Sequence, residues 1–202
     1  ELEPNDPSLF FQVYLLYNYS RDYRNGEEMI DRALNLIPDN QRNLLIKSMY
    51  QYYKHRDIDR LIDELYALRK RLGDNGHLMT NQIVSSLIIA RKYDQALNEL
   101  KNVDESFDIR QNRFMPYDFI RGNIYEIMGL KNKAIPLYNN AAEKLESELI
   151  KNPKDIRIIS DLALIYAYLN RREDAMRMNE SAMSEIPIEK DHVDHGGYYN
   201  KE

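Results

Sequence analysis

The chain has 202 residues, of which 43% are hydrophobic and 7 each are Gly and Pro, with a net charge of −5 and no cysteine. That length suits one ordinary domain or a short repeat array, the mean hydropathy of −0.67 fits a modest core, and so few Gly and Pro disfavour a fold of many tight β-turns. Disulfides, thiolate nucleophiles and zinc–cysteine sites are excluded, no apolar run nears the ~18–20 residues of a membrane-spanning helix, and the acidic balance argues against a general nucleic-acid surface.

Taken in chain order, the opening LEPNDP reads as the close of a preceding unit, because Pro4 and Pro38 stand 34 residues apart. A helix pair is predicted over about 7–38, carrying Tyr17, Ala33 and Pro38. The second pair, about 40–72, is the weakest copy, with Ser48 and Ala67 at the small-residue positions. Its basic stretch, residues 54–73, interleaves Lys54, Arg56, Arg60, Arg69, Lys70 and Arg71 with Asp57, Asp59, Asp63 and Glu64. Mixed signs of that kind describe a solvated helix face. The third pair, about 77–105, offers Leu87, Ala96 and Leu100.

The fourth and fifth pairs, about 114–152 and 154–187, repeat most clearly. Gly122, Tyr125, Gly129, Ala134, Tyr138 and Ala141 fall 41 residues before Ala163, Tyr166, Asn170, Ala175, Asn179 and Ala182. Ile159, Leu162, Ala163, Tyr166 and Leu169 share one helical stripe, Asn170 and Arg171 break it, and Ala175, Met178, Ala182 and Met183 start another. Alanine at a helix crossing lets two backbones approach closely. The 41-residue spacing predicts an unusually long second helix in the fourth pair, with Pro136 near its start. Gly26 and Arg60 replace the first alanine of the second helix in the two N-terminal pairs.

This order of small residue, tyrosine, turn, alanine, aromatic, alanine and closing proline resembles the tetratricopeptide repeat (TPR), a unit of about 34 residues. The resemblance spans nearly the whole chain, although no tryptophan opens any first helix and Asn179 stands where an aromatic is usual. It implies an all-α fold, a right-handed α-solenoid of about five antiparallel helix hairpins forming one domain. It also implies a non-catalytic scaffold that binds a peptide or protein partner on a groove lined by the first helix of each pair. By phase, Phe11, Leu15, Asn18, Arg42, Leu45, Asn81, Ser85, Phe119, Asn123, Glu126, Arg157, Ser160 and Tyr168 face that groove. Members that clamp chaperone carboxylates use lysine and asparagine in the first helix; Phe11 and Leu15 stand there instead, so that clamp is not implied.

Residues 188–202 read as a linker and the start of a further helix. With Lys190-Asp191 and the later Gly197-Tyr198-Tyr199, they resemble repeat arrays of bacterial multidomain signalling proteins, which makes a regulatory or sensory segment the alternative function. Asp191-His192-Val193-Asp194-His195 has metal-ligand spacing if helical, but Gly196-Gly197 follow it, so neither a metal nor a cofactor is expected. A terminal repeat lacking a cap buries its apolar face only against a neighbour. Met176, Met178 and Met183 therefore mark a surface where a second copy would join. No nucleophile–base constellation points to catalysis, and a cytoplasmic location is the expectation.

Overall fold

A computed structural model describes residues 7–74, 77–101, 103, 107–110 and 113–185. The chain divides into two compact units at the Glu99–Leu100 bond, and each is described by itself.

The first unit is built from α1 (Pro7–Tyr19), α2 (Tyr23–Leu36), α3 (Gln41–His55), α4 (Ile58–Leu72) and α5 (Leu78–Ile89), with α6 (Tyr93–Lys101) closing it and crossing the division. Consecutive helices pack on one another from α1 to α5. Short acidic or amide side chains start three of them by accepting an N–H that has no intrahelical partner: Asp22 takes that of Asn25, Asn40 that of Asn43 and Asp57 that of Arg60. His77, before α5, adopts φ 55° and offers no side-chain cap. The Asp74 carboxylate does so instead, accepting from the N–H groups of Met79 (2.7 Å) and Thr80 (2.9 Å). Ile30, Leu61, Leu65, Met79, Ile83 and Leu87 are buried. α4 is tied to α6 through Glu99, which accepts from Arg69 at 2.6 Å and from the Tyr66 hydroxyl at 2.9 Å.

The second unit opens with a two-stranded antiparallel hairpin, β1 (Phe107–Arg110) and β2 (Arg113–Pro116), registered with Phe107 opposite Pro116. It continues through α7 (Tyr117–Ile127), α8 (Lys131–Lys151), α9 (Ile156–Tyr168) and α10 (Arg172–Glu185). α7 packs on α8, α8 on α9 and α9 on α10, and β2 lies against α7, α8 and α9. The hairpin is a departure from the purely helical expectation. Strands of four residues carry too few alternations to be told from a helix end by pattern. What fixes β2 is distant in sequence: the fully buried Asp161 carboxylate accepts the Phe114 N–H at 2.8 Å.

α8 has 21 residues against 14 and 15 for α2 and α4, so the extra turns expected from the 41-residue spacing are present. Pro136 lies inside α8, just past the first turn, where Ala134 already bonds back to Leu130; the proline therefore leaves the Asn132 carbonyl without its intrahelical donor. The core of this unit gathers Phe119, Tyr138, Ala141, Leu145, Ile158 and Ile165, with Ala134 and Ala182 also buried.

Each of the five hairpin turns contains one residue in the left-handed region: Arg21, Arg56, Arg91, Gly129 and Asn170, with φ between 57° and 77°. In four of them the same pair of hydrogen bonds closes the first helix. Arg21 N–H reaches Asn18 and Asp22 N–H reaches Tyr17; the same bonds recur at Arg91/Lys92, Gly129/Leu130 and Asn170/Arg171. The turn is thus one device used repeatedly, although glycine, the residue that adopts it without strain, occupies only one site.

Candidate binding surfaces

The last turn of each first helix exposes a large apolar side chain. In the first unit these are Tyr19 (79% exposed), Tyr53 (51%) and Ile89 (58%); in the second, Ile127 (55%) and Tyr168 (45%). Tyr19, Ile89, Ile127 and Tyr168 each stand two residues before the left-handed turn residue, so the equivalence follows the repeat.

In the first unit, a recess of about 740 Å³ opens where the ends of α1 and α3 meet the start of α2. Its walls are tyrosines (Tyr19, Tyr23, Tyr50 and Tyr53), and its charges are Arg21, Arg24, Lys54 and Arg56 against Glu27. Lys54 and Gln51 both bond the Glu27 carboxylate. Tyr50 is buried, with its ring edge-on to Tyr14 and Tyr23 at 6.0 and 6.2 Å. Its hydroxyl has no hydrogen-bond partner among the described residues. Burial, followed by the neighbouring Tyr14 and Glu27, pushes the Tyr50 phenol up to about 12. Room for that hydroxyl exists because residue 26 is glycine: a Cβ there would come within 2.7 Å of the oxygen.

In the second unit, Tyr138 of α8 crosses to α7. Its hydroxyl donates to Glu126 Oε2 at 2.6 Å and lies 2.9 Å from Asn123 Oδ1. Burial, then the hydrogen bond and charge of Glu126, hold this phenol well above the ordinary tyrosine range. Phe119 and Tyr168 stack around the same ring, 5.4 and 5.2 Å away. Along α9 and α10 lies a second recess of about 620 Å³, lined by Ala163, Ala167, Ala175, Met176, Asn179 and Met183.

The sequence-selected residues therefore divide. Phe119 and Ser160 are buried, so neither presents a surface to a partner, and Phe119 belongs to the apolar core of the second unit. Asn123 and Glu126 are occupied by Tyr138. Phe11 and Arg42 are brought together, with the guanidinium 5.4 Å from the ring centre. Asn18 lines the tyrosine–arginine recess. Asn81 is half-buried and its carbonyl accepts from the exposed Ser85 hydroxyl at 2.9 Å, a bond within one helix. Arg157 is held by Asp155 at 2.6 Å and lies 5.7 Å from the Phe114 ring, while Tyr168 is 45% exposed. Leu45 is buried and Leu15 half-buried.

Tyr19, Arg21, Tyr23, Arg24, Tyr50, Tyr53, Lys54 and Arg56 escaped sequence reasoning as a group. A signal was present. YNYSRD (17–22) and YYKHRD (52–57) occupy the same repeat phase, with Arg21 and Arg56 35 residues apart. The metal-like DHVDH run and the tail resemblance fall outside the described residues. Among the described residues no group of three or more His, Asp or Glu side chains is placed to hold a metal ion, and no helix is long and apolar enough to cross a membrane.

No protein-family model and no curated protein matches the chain. Among solved structures it is similar to TTC0263, a thermophilic TPR protein of Thermus thermophilus, with a TM-score of 0.59 and 18% identity, covering 97% of this chain and 98% of that one. It is also similar to PilW, a type IV pilus biogenesis factor, with a TM-score of 0.52 and 18% identity over 89% and 77% of the two chains. The chain has the helical fold of tetratricopeptide repeat proteins, as its resemblance implied.

Proposed function

We propose that the chain is a non-catalytic interaction scaffold that holds a peptide or partner protein against the first helices of its hairpins. The observation that carries this reading is the exposed apolar residue recurring at the end of those helices, at Tyr19, Ile89, Ile127 and Tyr168. An apolar side chain retained in water at the same place in four of the five hairpins gives the fold nothing, whereas it gives an incoming chain desolvated area to bury. The partner contacts these helix ends and the adjoining first-helix faces, where Phe11, Asn18, Arg42, Asn81, Ser85, Arg157 and Tyr168 remain accessible in whole or in part. The recess between α9 and α10, with Met176 exposed beside it, is the surface through which a second copy joins. Sedimentation of the wild type and of Met176→Lys across protein concentration tests that association.

Peptide display against the purified chain tests the main reading. Selected peptides should lose about tenfold or more in affinity on Tyr19→Ser plus Tyr168→Ser, because buried apolar anchors carry most interface energy. Lys151→Ala, on the exposed end of α8, serves as the control. A selection that returns no peptide, or peptides indifferent to the helix ends, overturns the proposal.

A further inference from the structure

We propose that the recess at the turn ends of the first two hairpins is a subsite for an acidic peptide segment. Its carboxylates would meet Arg21, Arg24 and Arg56, and its apolar side chains Tyr19, Tyr23 and Tyr53. The inference rests on the peptide-binding reading above and names the partner's chemistry.

Charge comes first. The chain carries a net charge of −5, yet among the residues lining this recess Glu27 is the one carboxylate beside Arg21, Arg24, Lys54 and Arg56, and the adjoining Asp22 and Asp57 are engaged as caps of α2 and α4. Glu27 is already engaged by Lys54 and Gln51. The three arginine side chains, by contrast, form no ion pair among the described residues. They come from both hairpins: Arg21 and Arg24 from the first, Arg56 from the second.

The tyrosine wall is the second observation: Tyr23 and Tyr53 are exposed in the recess, and Tyr50 behind them is buried with its hydroxyl beside Gly26. A buried hydroxyl without a partner costs stability that phenylalanine would not lose. At this site the cost is compounded, because Gly26 stands where later repeats hold Ala96, Ala134 and Ala175 and a Cβ would collide with the oxygen. The glycine thus seats the Tyr50 hydroxyl in a buried position beside α1 and α2, and the residue it anchors forms part of the wall of the recess.

The recess also selects between anions. Phosphate is bound best by free backbone N–H groups at a helix N-terminus. Here the starts of α2 and α4 are already capped by the carboxylates of Asp22 and Asp57, which accept from the N–H groups of Asn25 and Arg60. Separated guanidinium groups with phenol rings between them suit single carboxylates spaced along an extended chain. The site lies at the hairpin turns, away from the mid-helix positions Phe11 and Leu15.

The test is an array of hexapeptides in which zero to four positions, counted as roughly the reach of such a recess, are Asp or Glu and the rest Tyr, Phe or Leu. It is probed with the full chain, and affinities are then measured by anisotropy. Binding should rise with acidic content and fall about tenfold between about 50 and 200 mM salt. It should also fall about tenfold on Arg21→Ala plus Arg56→Ala. Tyr23→Ser plus Tyr53→Ser, which removes exposed rings of the recess, should also weaken binding about tenfold without lowering Tm. Binders with no acidic preference would overturn the subsite while leaving the scaffold reading intact; no binders would overturn both. Inorganic pyrophosphate or ATP competing through the same arginines, more tightly than any acidic peptide, would assign the recess to a phosphate ligand and overturn the proposal.

Discussion

Gly122 of α7 lies directly beneath the ring of Tyr138 of α8: a Cβ on residue 122 would come within 2.5 Å of Tyr138 Cε1 and 2.7 Å of Cδ1. The ring cannot retreat, since Phe119 and Tyr168 flank it and Glu126 holds its hydroxyl. This is the crossing at which the fourth hairpin closes. Position 122 is small because an aromatic from the partner helix fills the space that a larger side chain would take.

Gly122→Ala should therefore destabilise the chain by about 1–3 kcal/mol, the overpacking cost outweighing the helix propensity gained by alanine. Urea unfolding checks it. Adding Tyr138→Leu should recover part of the loss relative to Tyr138→Leu alone, because the collision disappears with the ring.

The turns permit a comparison in both directions. Gly129 has φ 77° and open space around the position of a Cβ, so Gly129→Ala carries a purely conformational cost of about 1 kcal/mol. Arg91 has φ 58° and is exposed. Arg91→Gly should stabilise by about 0.5–1 kcal/mol, since the strain is removed and the two backbone bonds remain. Thermal melts of the two variants should move in opposite directions.

Alkaline titration should distinguish the buried phenols. Tyr50, Tyr66 and Tyr166 are pushed up to about 12, chiefly by burial, with hydrogen bonds to Glu99 and Glu146 acting on the latter two. The ordinary value is 10.0, so the folded state holds these protons more tightly than the unfolded chain does. The stability they contribute is complete below about pH 10 and is lost as pH rises toward about 12. Absorbance of tyrosinate should show a group of phenols ionising only as far-UV circular dichroism collapses. A single smooth titration near pH 10 with helicity intact would contradict this.

Asp161 joins β2 to α9, and its removal leaves the Phe114 N–H without its acceptor. Asp161→Ala should cost about 1–3 kcal/mol. Hydrogen exchange at the Phe114 amide should accelerate more than at Ile124 in α7, because the hairpin loosens before the helices do. Equal acceleration at both would mean that Asp161 serves the whole unit.

The helices were legible because their signal is local. Stripes such as Ile159, Leu162, Ala163 and Tyr166, and the 41-residue echo that foretold the long α8, need only 3.6-residue periodicity. Small residues at 134, 141 and 182 were legible for the same reason, since a close crossing leaves a mark at one position. The β-hairpin was not legible: its decisive contact joins Phe114 to Asp161, 47 residues on. That Phe119 is buried was not legible, because phase gives the side of a helix but not which neighbour covers it. Tyr138, from another helix, packs on that ring and hydrogen-bonds the half-buried Asn123.

The sequence alone determined that this protein is a succession of helix pairs, and where each pair turns, because backbone hydrogen bonding and apolar periodicity act within a few residues. Only the tertiary structure decided which side chains remain in water, that Tyr50 and three arginines converge on one recess, and that a strand pair precedes α7. Those outcomes depend on residues brought together from 15 to 47 positions apart, where a single neighbouring side chain decides between core and surface.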